Sequence, residues 1–190
     1  MKTFTIALLC FCPLFLLAQY TQPTRIFEKG QIDLQSAVGI FPTYLADKPE
    51  SVLPPVHIGL RWMVADPFSV SIFAAYSTSR SREVLSFDSA RGRWKNQTLF
   101  IGIENGFHYT RIDNWDFYGG FSLLYQHIHV DTDSPKLKRM MPLYGIKARR
   151  GKMALTAYIG SRFALSSHYS VFIDLGYGVS LLRVGVGYRL

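Results

Sequence analysis

The feature that most constrains this 190-residue chain is an alternation of apolar residues with polar or small residues. Successive side chains of a β-strand point to opposite faces, so a run of this kind has one apolar face. The clearest run ends the chain, where the apolar face is formed by Leu182, Val184, Val186, Tyr188 and Leu190. Seven similar runs begin near Ile32, Val56, Phe68, Leu99, Trp115, Met153 and Val171. The sequence therefore predicts an all-β fold of eight strands.

The predicted connections alternate between short and long. Short turns are expected near 65–67, 111–114 and 166–168, and long loops at about 42–54, 80–95 and 131–151; the last connection, near 178–180, is tight. Transmembrane β-barrels have short turns on the periplasmic side and longer loops outside. The pattern favours a closed, eight-stranded, antiparallel up-and-down transmembrane barrel, and an even number of strands places both termini in the periplasm.

The distribution of charge indicates which face is inside. The polar faces carry a predicted lumen network of four acids and four bases: Asp33, Arg61, Glu104, Asp116, Arg162, Asp174, Arg183 and Arg189. Buried charges need partners to offset their desolvation, whereas a surface in contact with lipid excludes charge. Neighbouring strands suggest three ion pairs: Asp33 with Arg61, Asp116 with Arg162, and Asp174 with Arg183. A soluble lipocalin-like barrel is the alternative, but its solvent face should carry more Lys and Glu.

The N-terminus has the features of a secretory signal peptide. A basic start at Lys2 precedes an apolar run from Ile6 to Ala18, which is shorter than a spanning helix requires. We predict a signal peptide at 1–18, a short lead at 19–28 and the barrel at 29–190. Both cysteines, Cys10 and Cys12, lie in the segment that would be removed, so the mature chain is expected to lack disulfides and thiolate ligands.

The eight alternating runs and the closing segment carry a family resemblance. From about Lys29 to Leu190 the chain resembles the OmpA/OmpX-like superfamily of small outer-membrane β-barrels from Gram-negative envelopes. Its end is similar to the C-terminal signal that the outer-membrane insertion machinery reads, with Gly185, Tyr188 and Leu190 in the matching places. The family usually ends in Phe, so Leu190 departs from the pattern. The resemblance implies an outer-membrane location.

The predicted outer loops are strongly basic, in a chain whose formal net charge is +8. Their basic residues are Arg80, Arg82, Arg91, Arg93, Lys136, Lys138, Arg139, Lys147, Arg149 and Arg150. Nucleic acid is an improbable partner for an exported barrel, and the phosphates of lipopolysaccharide are a nearer counter-charge for arginine. The apolar segment Met140–Tyr144 lies among these charges and is predicted to cover the barrel mouth or to contact a protein partner.

No catalytic, cofactor or metal signature stands out. His127 and His129 share a strand face with Asp131, which leaves open a weak metal site at the rim. A lipid-A-modifying enzyme remains the alternative in another class, with either histidine acting beside Ser134 or Tyr125. A narrow-channel transporter is the third possibility. The leading prediction is a non-catalytic outer-membrane barrel that serves envelope integrity, surface interaction or a larger outer-membrane assembly.

Overall fold

The computed structural model describes residues 28–43, 50–81, 84–85, 91–112, 114–143 and 145–190. The predicted signal peptide and all but the last residue of the lead lie outside these described residues. None of the helices formed by the described residues is long and apolar enough to cross a membrane.

Strands make up most of the described chain. The strands are β1 (Ile32–Gly39), β2 (Glu50–Ala65), β3 (Phe68–Arg80), β4 (Val84–Leu85), β5 (Arg91–Gly92), β6 (Trp94–Ile112), β7 (Trp115–Thr132), β8 (Arg149–Ala164), β9 (Tyr169–Gly176) and β10 (Leu182–Arg189). A short helix, α1 (Pro135–Met140), lies between β7 and β8.

Eight of these strands close into one barrel. The order around the barrel is β1, β10, β9, β8, β7, β6, β3 and β2, and β2 pairs with β1 to complete the circle. Every pairing in the barrel is antiparallel. The predicted fold class is therefore confirmed. The two short strands β4 and β5 form a separate hairpin between β3 and β6.

The alternation seen in the sequence becomes an inside and an outside. Ile72, Ile103 and Phe107 are among the large apolar side chains on the outer wall, and Phe107 is 60% exposed. Their neighbours in sequence point inward and are buried, as at Ser71, Glu104 and His108. Along β6 the outer face from Leu99 to Tyr109 is apolar except for Asn105, and it corresponds to a height of about 25 Å at the usual rise and tilt of barrel strands. We call this band of outward apolar side chains the apolar belt.

The strands differ in length more than the sequence pattern indicates. β6 has 19 residues and β7 has 18, whereas β1, β9 and β10 have 8 each. The long strands continue past the apolar belt on the side of the long loops. Arg80, Arg149 and Arg150, which were expected in loops, therefore lie in barrel strands, and Arg91 lies in the separate strand β5. Beyond the belt both strand faces are polar, so the period-two hydrophobic signal disappears although the backbone pairing continues.

Aromatic side chains lie at both edges of the belt. Tyr109, Trp115 and Tyr188 lie toward the short turns, while Tyr76 and Tyr125 lie toward the long loops. Trp115 packs on Phe117 and Phe163, and Tyr188 packs on Tyr169. Amphipathic rings favour the interfaces of a bilayer, so the two aromatic rims mark the expected borders of the hydrocarbon.

Candidate functional site

The lumen contains a charged layer centred on Arg183 of β10. The guanidinium donates from Nη1 to Glu104 Oε1 at 3.0 Å and from Nε to Asp174 Oδ2 at 2.8 Å. Nη1 also donates to His57 Nε2 at 2.8 Å, which leaves the proton of neutral His57 on Nδ1. Tyr118 donates its hydroxyl to the other oxygen of Asp174. These groups come from five different strands, so the network joins the walls of the barrel across its interior.

A second ion pair connects β8 with β1. Arg162 Nη1 donates to Asp33 Oδ2 at 2.9 Å, and the side chain of Arg162 is fully buried. The sequence prediction paired Asp33 with Arg61 and Asp116 with Arg162. The two residues of each predicted pair are opposite each other in backbone register, yet their side chains contact other groups across the lumen. Register alone does not reveal which long side chain reaches across a narrow barrel. The third predicted pair, Asp174 with Arg183, is present.

Arg61 is buried without a carboxylate ion pair among the described residues. Its Nε donates to Ser71 Oγ at 3.4 Å, and its guanidinium lies 4.8 Å from the ring centre of Tyr118. Its Nη2 has no hydrogen-bond partner among the described atoms. The aromatic face of Tyr118 therefore provides part of the environment that a carboxylate would otherwise provide.

A serine, a histidine and an aspartate meet near the short-turn end of the lumen. His108 Nδ1 lies 2.9 Å from Asp116 Oδ2, and His108 Nε2 lies 2.7 Å from Ser69 Oγ. An ionised carboxylate only accepts, so Nδ1 donates to Asp116, and in the neutral imidazole Nε2 then accepts from the Ser69 hydroxyl. This is the connectivity of a serine-hydrolase triad. The side chains of His108 and Asp116 have no exposed surface, and Ser69 is buried.

No motif in the sequence marks this triad. His108 and Asp116 are eight residues apart on the two arms of one hairpin, and Ser69 is on the neighbouring strand β3. Asp116 was assigned to the lumen, but Ser69 and His108 carried no motif. Their inward positions in adjacent strands were the available signal, and only the register specifies that Ser69 stands opposite Gly106, next to His108.

An apolar layer lies farther toward the long loops. Phe73, Ala75, Phe100, Leu124 and Val179 pack together inside the barrel, and Phe100 is 1% exposed. The lumen is therefore only partly polar, whereas the sequence predicted a polar lumen. Two small cavities in the lumen are lined by described residues, one of about 30 Å³ beside the apolar layer and one of about 10 Å³ at the short-turn mouth beside Arg162 and Arg189.

The predicted basic residues of the outer loops occupy several settings. Arg82 lies outside the described residues, and only the backbone of Arg91 is described, in β5. The others, apart from Lys138, are exposed without an ion pair among the described residues: Arg80, Arg93, Lys136, Arg139, Lys147, Arg149 and Arg150. Lys138 forms an exposed ion pair of 3.2 Å with Asp131. The backbone N–H of Thr132 and the ammonium of Lys138 hold the pKa of Asp131, beyond the apolar belt, below its usual value.

The second and third long loops pack against each other. The backbone N–H of Arg93 donates to Asp133 Oδ1 at 2.9 Å, and Leu137 of α1 packs on Gly92. Within the predicted apolar segment, Met141 is buried, Leu143 is 83% exposed and Tyr144 lies outside the described residues. The segment is therefore divided between packing and exposure.

Comparison with known proteins gives a result at the level of fold. No protein-family model and no curated protein matches the sequence. The crystal structure of the outer membrane protein OprG from Pseudomonas aeruginosa is similar over 88% of this chain and 99% of that chain, with a TM-score of 0.62 and 13% identity. A structure titled "De novo design of transmembrane beta-barrels" is similar over 86% of this chain and 98% of that chain, with a TM-score of 0.51 and 12% identity.

The chain has the fold of a small eight-stranded outer-membrane β-barrel. In this barrel the residues of the predicted insertion signal lie on β10 and at its end. Gly185 faces the lumen, Tyr188 joins the aromatic rim, and Leu190 is exposed after the strand. Among the described residues, no group of three or more His, Cys, Asp or Glu side chains is arranged to hold a metal ion.

The rim candidates for chemistry are on the outer wall of the barrel. His127 and His129 follow the outward face of β7, where His127 is opposite Leu99 and His129 is opposite Gln97. Ser134 precedes α1 and Tyr125 lies below the histidines, with its ring centre 6.5 Å from that of His127. The contact between Tyr125 and His127 is one of tilted rings rather than a hydrogen bond from the hydroxyl. The arrangement predicted for an enzyme at the rim is therefore not formed among these described groups.

Proposed function

We propose that this chain is a non-catalytic integral protein of the bacterial outer membrane, with a closed lumen and with its long loops facing outward. Its basic outer rim would bind lipopolysaccharide phosphates or a protein partner. The observation that carries this proposal is the double closure of the lumen. A charged layer around Arg183 and an apolar layer around Phe100 lie one after the other, and the cavities beside them have room for about one water molecule each.

Conductance across planar bilayers tests the closed lumen against the alternative of a narrow channel. We expect the purified mature protein to give no steady conductance steps, while a known porin in the same bilayers conducts. The double variant Phe73→Ala/Phe100→Ala should also remain silent, because the charged layer still closes the barrel. Regular conductance steps from the unaltered protein would contradict the proposal.

Location and orientation need a separate experiment. Outer-membrane fractions should contain the protein, and its unboiled form should migrate faster on SDS gels than its boiled form. Trypsin added to intact cells should cut in the basic outer loops and leave a C-terminal tag uncut, because the termini are proposed to be periplasmic. A soluble protein without a heat-dependent shift, or a tag that trypsin removes from intact cells, would overturn the assignment.

Acyl transfer is the second candidate function, because Ser69, His108 and Asp116 have the hydrogen-bond connectivity of a hydrolytic triad. A hydrolytic triad needs space for its substrate beside the nucleophile. Here the three side chains are buried, and none of them lines either lumen cavity described above. We therefore assign the triad a structural role, as a hydrogen-bonded chain that joins β3, β6 and β7.

A fluorophosphonate reagent separates the two roles of the triad. An active serine attacks the phosphorus, fluoride leaves, and a phosphonylated serine remains. We expect no labelling of the folded barrel at Ser69, with trypsin labelled in parallel as the positive control. Labelling that Ser69→Ala and His108→Gln both abolish would make the chain an enzyme and refute the non-catalytic proposal.

A further inference from the structure

The largest recess described on this barrel is outside the lumen, on the outer wall. A groove of about 270 Å³ is lined by Tyr76, Gln97, Leu99, His127, His129 and Arg149. Its volume far exceeds the 30 Å³ of the larger lumen cavity described above. We call this recess the wall groove.

Strand register explains how the wall groove is built. Gln97 of β6, His129 of β7 and Arg149 of β8 stand side by side in one row across three strands. The next row toward the belt contains Leu99 and His127, and it ends at Gly151. Gly151 has no side chain, and a Cβ atom there would collide with the hydroxyl of Tyr125. The lower row thus combines the apolar Leu99 with the imidazole of His127, and the Tyr125 hydroxyl lies over Gly151, while the upper row presents nitrogen donors only.

The position of the groove indicates the depth of its ligand in a membrane. Leu99 and Tyr125 are the last outward apolar side chains of β6 and β7, so the groove begins where the apolar belt ends. The phosphate groups of a leaflet lie at this height, just outside the hydrocarbon. On the opposite wall the exposed side chains include the apolar Ile40, Phe41 and Leu181.

The chemistry of the lining matches a phosphate attached to an apolar body. The Arg149 guanidinium can donate two parallel hydrogen bonds to phosphate oxygens. His129, His127 and the Gln97 amide add further N–H donors, and no carboxylate is among the described residues that line the groove. The nearest acid along β7, Asp131, is already paired with Lys138. Leu99 and Tyr76 offer an apolar surface to an acyl chain.

We propose that the wall groove binds a phosphate group of lipid A in the outer leaflet, with Arg149 and His129 as its main ligands. This inference rests on the proposed function, because the groove faces the outer leaflet only if the long loops point outward. It goes further by placing the lipid contact on the barrel wall, at named side chains, rather than in the loops.

Native mass spectrometry of the mature protein in detergent, with bisphosphorylated lipid A as the probe, tests the inference. We expect Arg149→Gln/His129→Gln to weaken binding at least tenfold. Arg111→Gln is the matched control, since Arg111 is an exposed arginine beside the outward Tyr109 at the opposite rim. Its binding should stay within twofold of the unaltered protein. Both variants should keep the heat-dependent gel shift, which shows that they fold.

Two further probes decide what the groove recognises. Lipid A without phosphates should bind the unaltered protein no better than it binds the groove variant. Phosphatidylglycerol should bind more weakly than bisphosphorylated lipid A, and equal binding would overturn the assignment to lipid A. Equal lipid A affinities for the groove variant and Arg111→Gln would overturn the groove itself.

Failure of this inference is distinguishable from failure of the proposed function. If Lys136→Gln/Arg139→Gln in α1 abolishes lipid A binding while the groove variant binds normally, the loops bind lipopolysaccharide and only the groove assignment is wrong. If the trypsin experiment places the long loops in the periplasm, the proposed orientation fails first and the groove assignment fails with it.

Discussion

The two layers that close the lumen differ in how they hold together. The charged layer depends on a few directed contacts, with Arg183 shared between Glu104 and Asp174. The apolar layer depends on undirected packing of Phe73, Phe100, Leu124 and their neighbours. Removing one partner from a buried charge network leaves the others without compensation, whereas removing one side chain from a packed cluster leaves a cavity. The charged layer should therefore tolerate single changes least.

Arg183→Leu should produce the largest loss of stability. It leaves two carboxylates buried without their common partner and removes the donor to His57. We expect the free energy of unfolding to fall by about 3–5 kcal/mol. Reversible urea unfolding in detergent micelles, followed by tryptophan fluorescence, measures this quantity.

A compensated variant tests the reason for that loss. In Arg183→Leu/Glu104→Gln/Asp174→Asn the uncompensated charges are gone, and the amide oxygen introduced at position 174 can still accept from Tyr118. Most of the lost stability should return. A compensated variant that is no more stable than Arg183→Leu would show that packing by the arginine stem, rather than ion pairing, supports this layer.

Phe100→Ala tests the apolar layer. Truncation of a buried phenylalanine costs about 3–4 kcal/mol, because lost burial and a residual cavity add together. Phe107→Ala on the same strand is the matched control, since Phe107 faces outward and lipid or detergent can fill the space it vacates. We expect the control to lose distinctly less stability in the same urea experiment. Equal losses at the two positions would mean that Phe100 does not pack as tightly as its burial indicates.

The fold was predictable from sequence because a single physical rule governs it. A lipid-facing wall requires every second residue to be apolar, and β1, β9 and β10 show this along almost their whole length. The ends of β6 and β8 were not predictable in this way. Lys95 and Arg149 lie in parts of their strands that extend beyond the belt. Both faces of a strand are in a polar environment there, so the sequence does not need to alternate between apolar and polar residues.

The lumen was predictable only in part. Alternation placed Asp33, Asp116 and Arg162 on the inward faces, where the structure has them. It did not predict that Arg162 reaches Asp33 or that Asp116 contacts His108. These contacts depend on how far each side chain extends across a narrow, filled lumen. Pairing residues only between neighbouring strands does not take this into account.

Ser69→Ala tests the hydrogen-bonded chain at the short-turn end of the charged layer. The change removes the hydroxyl that donates to the buried His108 Nε2, so we expect a loss of about 1–2 kcal/mol. Ser79→Ala on the same strand is the control, because the buried Ser79 hydroxyl has no hydrogen-bond partner among the described atoms. The control should lose nothing measurable. A loss in the control as large as that of Ser69→Ala would show that the hydroxyl bond to His108 contributes little.

Lys138→Ala should have the smallest effect. Lys138 and Asp131 form an ion pair much like Arg162 and Asp33, but both side chains are exposed to solvent, where water and salt weaken the attraction. We expect no measurable shift of the urea midpoint. A local effect should remain, because removing the ammonium raises the pKa of Asp131 toward its usual value. Carboxyl chemical shifts followed by NMR against pH measure that rise.

Comparing these two ion pairs shows whether the N···O distance or the burial of the pair determines its contribution to stability. Asp33→Asn removes one partner of a pair whose arginine has no exposed side-chain surface, so it should destabilise the barrel clearly where Lys138→Ala does not. The two N···O distances, 2.9 and 3.2 Å, differ too little to account for such a gap. If both variants unfold at the same urea concentration as the unaltered protein, burial does not strengthen the Arg162–Asp33 ion pair, and packing alone holds Arg162 in the lumen.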